Sequence, residues 1–330
     1  MSGMSGTAIN ATRDGLFSAL QHSPAESLIY FLCLPVCIIA CGRRPDSRFT
    51  FFVVASLCLV SFSLNLTTLS GFIFSLLMAT SCYIHFQPIR AHRYFKQKSI
   101  NAHSLKPGYI ALLRPLNTAL MIALAIALVA HILPGFPRWE PFPPMSLSIQ
   151  SLEFQLKLSF DTALVAICLL CFGQMQNQRR RIPFERRFIL VVSLVTLSVL
   201  SILGYFLGLF VWDYKLSHVL PIWLAKNLLL TCIAEEAFFR GIVQFEIQDR
   251  LKHKSYGSIL SLGLTSVLFG LAHFAGGPRY MLLASIAGFA YGYVYQKTGR
   301  IEASIALHLF VNLFHFVFLS YPMLVPVEIL

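Results

Sequence analysis

Apolar residues in this chain run in long, nearly uniform blocks, without the alternation expected of barrel strands. Blocks fit to cross about 30 Å of hydrocarbon recur at 27–42, 50–64, 67–86, 110–133, 158–174, 188–212, 220–247, 257–274, 280–296 and 303–320. In lipid, backbone donors and acceptors must be met inside a helix or by closing a barrel. Uniform blocks of this length select helices. The expected fold is all-α: a polytopic transmembrane helix bundle of about ten spans. Polar stretches divide it into a tail at 1–26, an accessory transmembrane segment at 27–174, a second group of spans at 188–320 and a tail at 321–330.

Composition sharpens this reading. The chain has 330 residues, 56% hydrophobic and only 12% charged, against about 25% charged in a soluble domain. Its net charge of +12 raises the question of nucleic acid, and the placement of the charge answers it. If the chain alternates sides, the loops 43–49, 87–109, 175–187, 248–256 and 297–302 share one face and hold most of the Lys and Arg, including Arg179, Arg180, Arg181, Arg186 and Arg187. That asymmetry makes the rich face cytoplasmic and puts both termini outside. Basic loops beside a membrane attract anionic lipid headgroups, so the expected partners are membrane lipid and a substrate, not nucleic acid.

The eight cysteines all fall within spans. Cys33, Cys37 and Cys41 share a helix face and Cys168 lies near Cys171; small apolar packing explains them better than a metal or a disulfide framework. Arg114 and Asp161 lie near span ends and are expected to reach the headgroups. The Pro-rich loop 134–147 is the longest outer connection, placed to cover a cavity mouth or to meet a partner.

From residue 220 ionisable and amide groups enter the middle of apolar helices, where each costs about 2.5–3.5 kcal/mol on insertion scales. The first cluster is Ala234-Glu235-Glu236-Ala237-Phe238-Phe239-Arg240-Gly241. Adjacent helical residues point about 100° apart, so the two glutamates cannot serve one site equally. Glu236 and Arg240 stand four apart, acid first, the favourable order for an ion pair. Glu235 is left without a local cation and is the carboxylate available as a general base.

The second cluster is Phe269-Gly270-Leu271-Ala272-His273, with Phe269 and His273 on one face. The third is His308-Leu309-Phe310-Val311-Asn312, with His308 and Asn312 on one face. Glu235 and His273 are placed to hold and deprotonate a water. His308 and Asn312 are placed to donate to the oxyanion that forms when this water attacks a carbonyl. The same groups leave a metal reading open: Glu235, His273 and His308 form a zinc ligand set with water as the fourth ligand. Lys226 and His315 read as packing or interhelical hydrogen-bond residues.

These motifs resemble those of the CAAX-protease and bacteriocin-processing (CPBP or Abi) family of intramembrane proteases. Its pattern is Glu-Glu-x-x-x-Arg, then Phe-x-x-x-His, then His-x-x-x-Asn or Asp, each on its own helix. Here they stand as Glu235-Glu236…Arg240, Phe269…His273 and His308…Asn312. The resemblance covers roughly 188–320 and leaves 1–174 unmatched. It implies a glutamate-dependent endopeptidase without a cofactor, in which Glu235 and His273 activate water, His308 and Asn312 form the oxyanion hole, and Glu236, Arg240 and Phe269 support them. Substrates in the family include prenylated C-terminal tails, bacteriocin leaders and sorting signals, and a bacterial cytoplasmic membrane is the expected location. Two other readings use the same residues: a non-catalytic immunity or assembly protein, and a proton-coupled transporter. Counted from the cytoplasmic span ends, Glu235, His273 and His308 fall at unequal depths, which a half-span near Gly276-Gly277 would reconcile.

Overall fold

The computed structural model describes residues 35–41, 47–97, 109–173 and 186–325, with side-chain surroundings for 35–41, 48–86, 115–173 and 187–325. Most of the first predicted span, Cys33, Arg179, Arg180 and Arg181, and the side chains of Arg114 and Arg186 lie outside the described residues.

Every predicted span from residue 50 onward coincides with helix. A short helical stretch at 35–41 is followed by α1 (Ser47–Ser63), α2 (Leu69–Gln97), α3 (Tyr109–Val129), α4 (Phe160–Gly173) and α5 (Arg186–Phe206). The long α6 then runs from Leu220 to Arg250 in mixed form, with π-helical turns at Asn227–Cys232 and Phe239–Gln244 between α-helical stretches. The chain ends with α7 (Gly257–Ala272), α8 (Gly277–Thr298) and α9 (Ile301–Phe318). This is the expected all-α bundle.

Three stretches, Leu69–Phe86, Arg187–Phe206 and Ile301–Phe318, are each long and apolar enough to cross a membrane. The helices α7 and α8 pass that test only as a pair, meeting at a sharp break at His273–Gly276. The remaining blocks differ for physical reasons. Helix α4 has only 14 residues, a rise of about 21 Å, and it is buried along almost its whole length among the other helices. A helix apolar on all sides is what either a lipid span or a buried core helix requires, so hydropathy alone does not separate the two. In α6 the uniform block is interrupted by Lys226, Glu235, Glu236 and Arg240.

Helix α4 is the pivot of the packing. It contacts α1, α2 and α3 on one side and α6 on the other. One buried cluster joins Met78, Cys82, Met121, Ala163 and Phe172 to Ala234, Ala237 and Ile242 of α6. The accessory helices therefore form a wall for the helix that carries the Glu-Glu motif. Cys41, Cys58, Cys82, Cys168 and Cys171 are buried in this shared core.

Asp161 corrects the sequence reading. It does not reach headgroups but is 1% exposed, because its carboxylate is met locally. His131 Nδ1 lies 2.6 Å from Oδ2, the Thr162 backbone N–H donates to Oδ1 at 2.7 Å, and Ser159 Oγ also donates to Oδ1. A buried carboxylate with these partners needs no water.

The Pro-rich loop covers one end of the molecule. Its strands β1 (Arg138–Trp139) and β2 (Leu158–Ser159) pair antiparallel, and Met145 bridges Phe154. Phe154 packs on Phe316 and Tyr321, and Leu152 N–H donates to the Met323 carbonyl. This cap holds Tyr321 against Trp223, whose Nε1–H donates to the Tyr321 hydroxyl at 3.0 Å.

Candidate active site

Helices α6, α7, α8 and α9 bring the three motifs to one cavity of about 230 Å³. Its wall includes Glu235 from α6, Phe269 and His273 from the end of α7, and His308 and Asn312 from α9. The π turns matter here. They flank the short α stretch Ile233–Phe238 that carries both glutamates, and such bulges rotate the residues beyond them relative to a continuous α-helix.

The two glutamates divide as their positions require. Glu236 is fully buried, with Oε2 2.9 Å from Arg240 Nε. The same carboxylate accepts from Ser304 Oγ at 2.5 Å, and its Oε1 lies 2.9 Å from His308 Nδ1. Arg240 is fully buried too. Its Nη2 donates to the Gly288 carbonyl at 3.1 Å, and its guanidinium carbon sits 5.2 Å from the Phe269 ring centre and 5.9 Å from that of Tyr291. The charge is thus met by a carboxylate, a carbonyl and aromatic faces.

Glu235 faces the cavity instead. Its side chain is 22% exposed, and Oε2 lies 3.9 Å from His308 Nε2. Among the described residues this buried oxygen has no hydrogen-bond partner. Glu235 itself lines the cavity of about 230 Å³.

His273 sits where α7 ends, as its C-cap, beside the turn Phe274–Gly276. Contacts between α7 and α8 run in opposite order along the chain. Gln296 donates to the Ser258 carbonyl at the open end, while at the closed end a Cβ on Gly270 would collide with Ser285 and the Met281 carbonyl. The two helices therefore form a hairpin whose tip presents His273; where a half-span was expected near Gly276-Gly277, the chain makes only the short turn Phe274–Gly276 between two full helices. His273 Nδ1 lies 2.8 Å from the Phe269 carbonyl. A proton on Nδ1 satisfies that carbonyl and leaves Nε2 as an acceptor. Phe269 itself is wedged beneath the Gly288 backbone and stacks 4.8 Å from the His273 ring.

His308 is held from three sides. Glu236 accepts at Nδ1, the Tyr291 ring lies 4.5 Å away and nearly parallel, and Phe269 meets it edge-on at 5.8 Å. With Nδ1–H given to Glu236, Nε2 can donate to an oxyanion only when the ring carries both protons. Asn312 Nδ2 donates to Asn227 Oδ1 at 3.1 Å, an oxygen that also accepts from Cys232 Sγ. The same Nδ2 also makes a long contact to Cys232 Sγ at 3.9 Å, a weak acceptor that a stronger one in the cavity can replace.

Several partners escape motif reading. Ser304 precedes His308 by one turn and ties Glu236 to the Tyr291 carbonyl at 2.9 Å; the spacing 304, 308, 312 on one helix face is the signal that could have found it. Asn227 and Tyr291 carry no motif. Lys226 and His315, read as packing residues, both line the cavity. Among the described residues no group of three His, Cys, Asp or Glu side chains is disposed to hold a metal ion.

Residues 217–314 match the family model described as type II CAAX prenyl endopeptidase Rce1-like. This agrees with the resemblance carried by the three motifs, all of which fall inside the matched stretch. The match begins after α5, so it is shorter than the region over which the motifs suggested likeness. No curated protein and no solved structure gives a significant match to the chain.

Proposed function

We propose, from that family match and the cavity together, that the chain is an intramembrane endopeptidase that hydrolyses a peptide bond with water activated by Glu235. The observation that carries the proposal is that Glu235, whose Oε2 makes no hydrogen bond among the described residues, lines a cavity shared with His273, His308 and Asn312. Water bound to Glu235 and His273 Nε2 loses a proton to Glu235 as its oxygen attacks the substrate carbonyl. The oxyanion accepts from Asn312 Nδ2–H and from doubly protonated His308 Nε2–H. When the C–N bond breaks, the leaving amine takes the proton from Glu235, and the products are a carboxylate and an amine. Glu236 and Arg240 do not touch substrate; they fix the His308 ring.

The apolar side of the cavity, with Leu197 and Leu200 from α5 and Leu283 and Ala284 from α8, suits a substrate that is itself membrane-associated or carries a hydrophobic tail. We assign the protein to a bacterial cytoplasmic membrane, with its basic loops on the cytoplasmic side and with no cofactor in the reaction. Insensitivity to zinc chelators belongs to this reading, and clean inhibition by chelation would transfer Glu235, His273 and His308 to a metal. Asn312→Ala is expected to lower kcat by about 10²–10³-fold with little change in KM, as when one oxyanion donor is lost. Steady-state hydrolysis of a tail peptide by proteoliposomes measures this. A rise in KM with kcat unchanged would remove Asn312 from the oxyanion hole.

A further inference from the structure

Two amides meet at the wall of the cavity, one from α6 and one from α9. Asn227 opens the first π-helical stretch of α6, Asn227–Cys232, and is 6% exposed. It lines the cavity together with Asn312. Its Oδ1 accepts twice, from Asn312 Nδ2 at 3.1 Å and from Cys232 Sγ at 3.2 Å. The wide π turn brings Cys232, five residues on, back over Asn227. With both lone pairs of Oδ1 taken, the amide cannot turn over without losing two hydrogen bonds, and its N–H donors stay on the other side. Among the described residues neither of those donors makes a hydrogen bond. A buried donor left unmet is costly, so this one is kept for a ligand.

We infer that Asn227 is a further catalytic residue, whose Nδ2–H donates to the same oxyanion as Asn312 and His308. The inference deepens the proteolytic reading of the cavity and rests on it. Spacing supports one shared oxygen. The nitrogen and oxygen of a single amide stand about 2.3 Å apart, so Asn227 Nδ2 lies within about 5.5 Å of Asn312 Nδ2. Two N–H donors on one oxygen, each about 2.9 Å from it, stand about 5 Å apart. Carbonyls that point the same way along an extended peptide are two residues, or about 6.6 Å, apart. Charge supports it too. His308 gives Nδ1–H to Glu236, so its Nε2 donates only when the ring is doubly protonated. A second neutral amide holds the oxyanion without calling on that proton. Because Asn312 and Cys232 fix the amide before substrate arrives, its dipole needs no reorganisation as charge develops.

The test measures binding of a tetrahedral anion and needs no turnover. Full-length protein in lipid nanodiscs is titrated with two uncleavable peptides. One is N-acetyl-tetraleucine carboxamide with its central amide replaced by a phosphinate, –PO₂⁻–CH₂–; the other carries a ketomethylene, –CO–CH₂–, at the same place. The phosphinate stands for the oxyanion and the ketone for the carbonyl before attack. Asn227→Leu is expected to weaken the phosphinate by about tenfold or more and the ketone by less than about twofold. A residue that only held Asn312 in place would add nothing once Asn312 is gone. Asn227→Leu should therefore still weaken the phosphinate by about fivefold or more in a protein carrying Asn312→Ala. Asn227→Ala gives the same readouts if Asn227→Leu does not fold. Equal weakening of the two peptides, weakening of neither, or no added loss beside Asn312→Ala overturns the inference and leaves the protease reading standing. A parent protein that binds the phosphinate no better than the ketone rejects both.

Discussion

Glu235→Gln is expected to reduce hydrolysis by at least about 10²–10⁴-fold, the span of general acid–base contributions, while leaving the melting temperature within about 2 °C of the parent. The two halves of this expectation come from one feature. Glu235 Oε2 makes no hydrogen bond among the described residues, and its ion-pair contact to His308 Nε2 is long at 3.9 Å, so an isosteric amide disturbs little of what holds the helices together. The amide cannot take a proton from water, so the chemistry stops. If the polar core served only to lock the helices, as in a non-catalytic relative, the order would reverse: stability or abundance would fall and any processing phenotype would persist. Parallel measurement of peptide turnover and thermal unfolding in the same proteoliposomes separates the two.

Glu236→Gln should behave in the opposite way. Glu236 and Arg240 are both fully buried, 2.9 Å apart, and removing one member of such a pair leaves an uncompensated charge in an apolar interior. The expected loss is about 3–5 kcal/mol of stability, with activity falling as the charged acceptor at His308 Nδ1 becomes a neutral amide oxygen. The variant Glu236→Gln with Arg240→Gln should lose less than the sum of the single changes, because the second substitution removes the stranded cation. Equilibrium unfolding of the four proteins in mild denaturant gives the cycle. Strict additivity would mean that the two side chains do not interact.

Much of this arrangement is legible in the sequence, because burying an ion in lipid is costly enough to mark its position. The doublet Glu235-Glu236 with Arg240 four residues later predicts which acid is paired and which faces the cavity, and helical spacing alone carries that argument. His308 and Asn312 follow from the same rule. The less legible features depend on neighbours remote in sequence. Asp161 reads as an end-of-span carboxylate until His131 and Ser159 fold beside it. Helix α4 reads as an apolar span, and its 14 residues are buried among the other helices. Its burial joins the accessory helices and α6 into one core that no boundary in the sequence announces. Glu235, His273 and His308 line one cavity, which a count of residues from the span ends does not announce. Two π turns in α6 and a hairpin tip at His273 change both registers. Lys226 reads as a packing residue because its partner Thr231 is a hydroxyl and the cavity it lines is not written in any one segment.

The direct check on the chemistry is the fate of oxygen in a single turnover. Protein in excess over a hydrophobic tail peptide, reconstituted in liposomes with a chelator and placed in H₂¹⁸O, should yield a new carboxyl group carrying the heavy isotope from the first turnover. A first-turnover product with ordinary oxygen would mean that a carboxylate of the protein attacks the peptide itself. No cleavage of any tail peptide by correctly folded protein would contradict the account altogether.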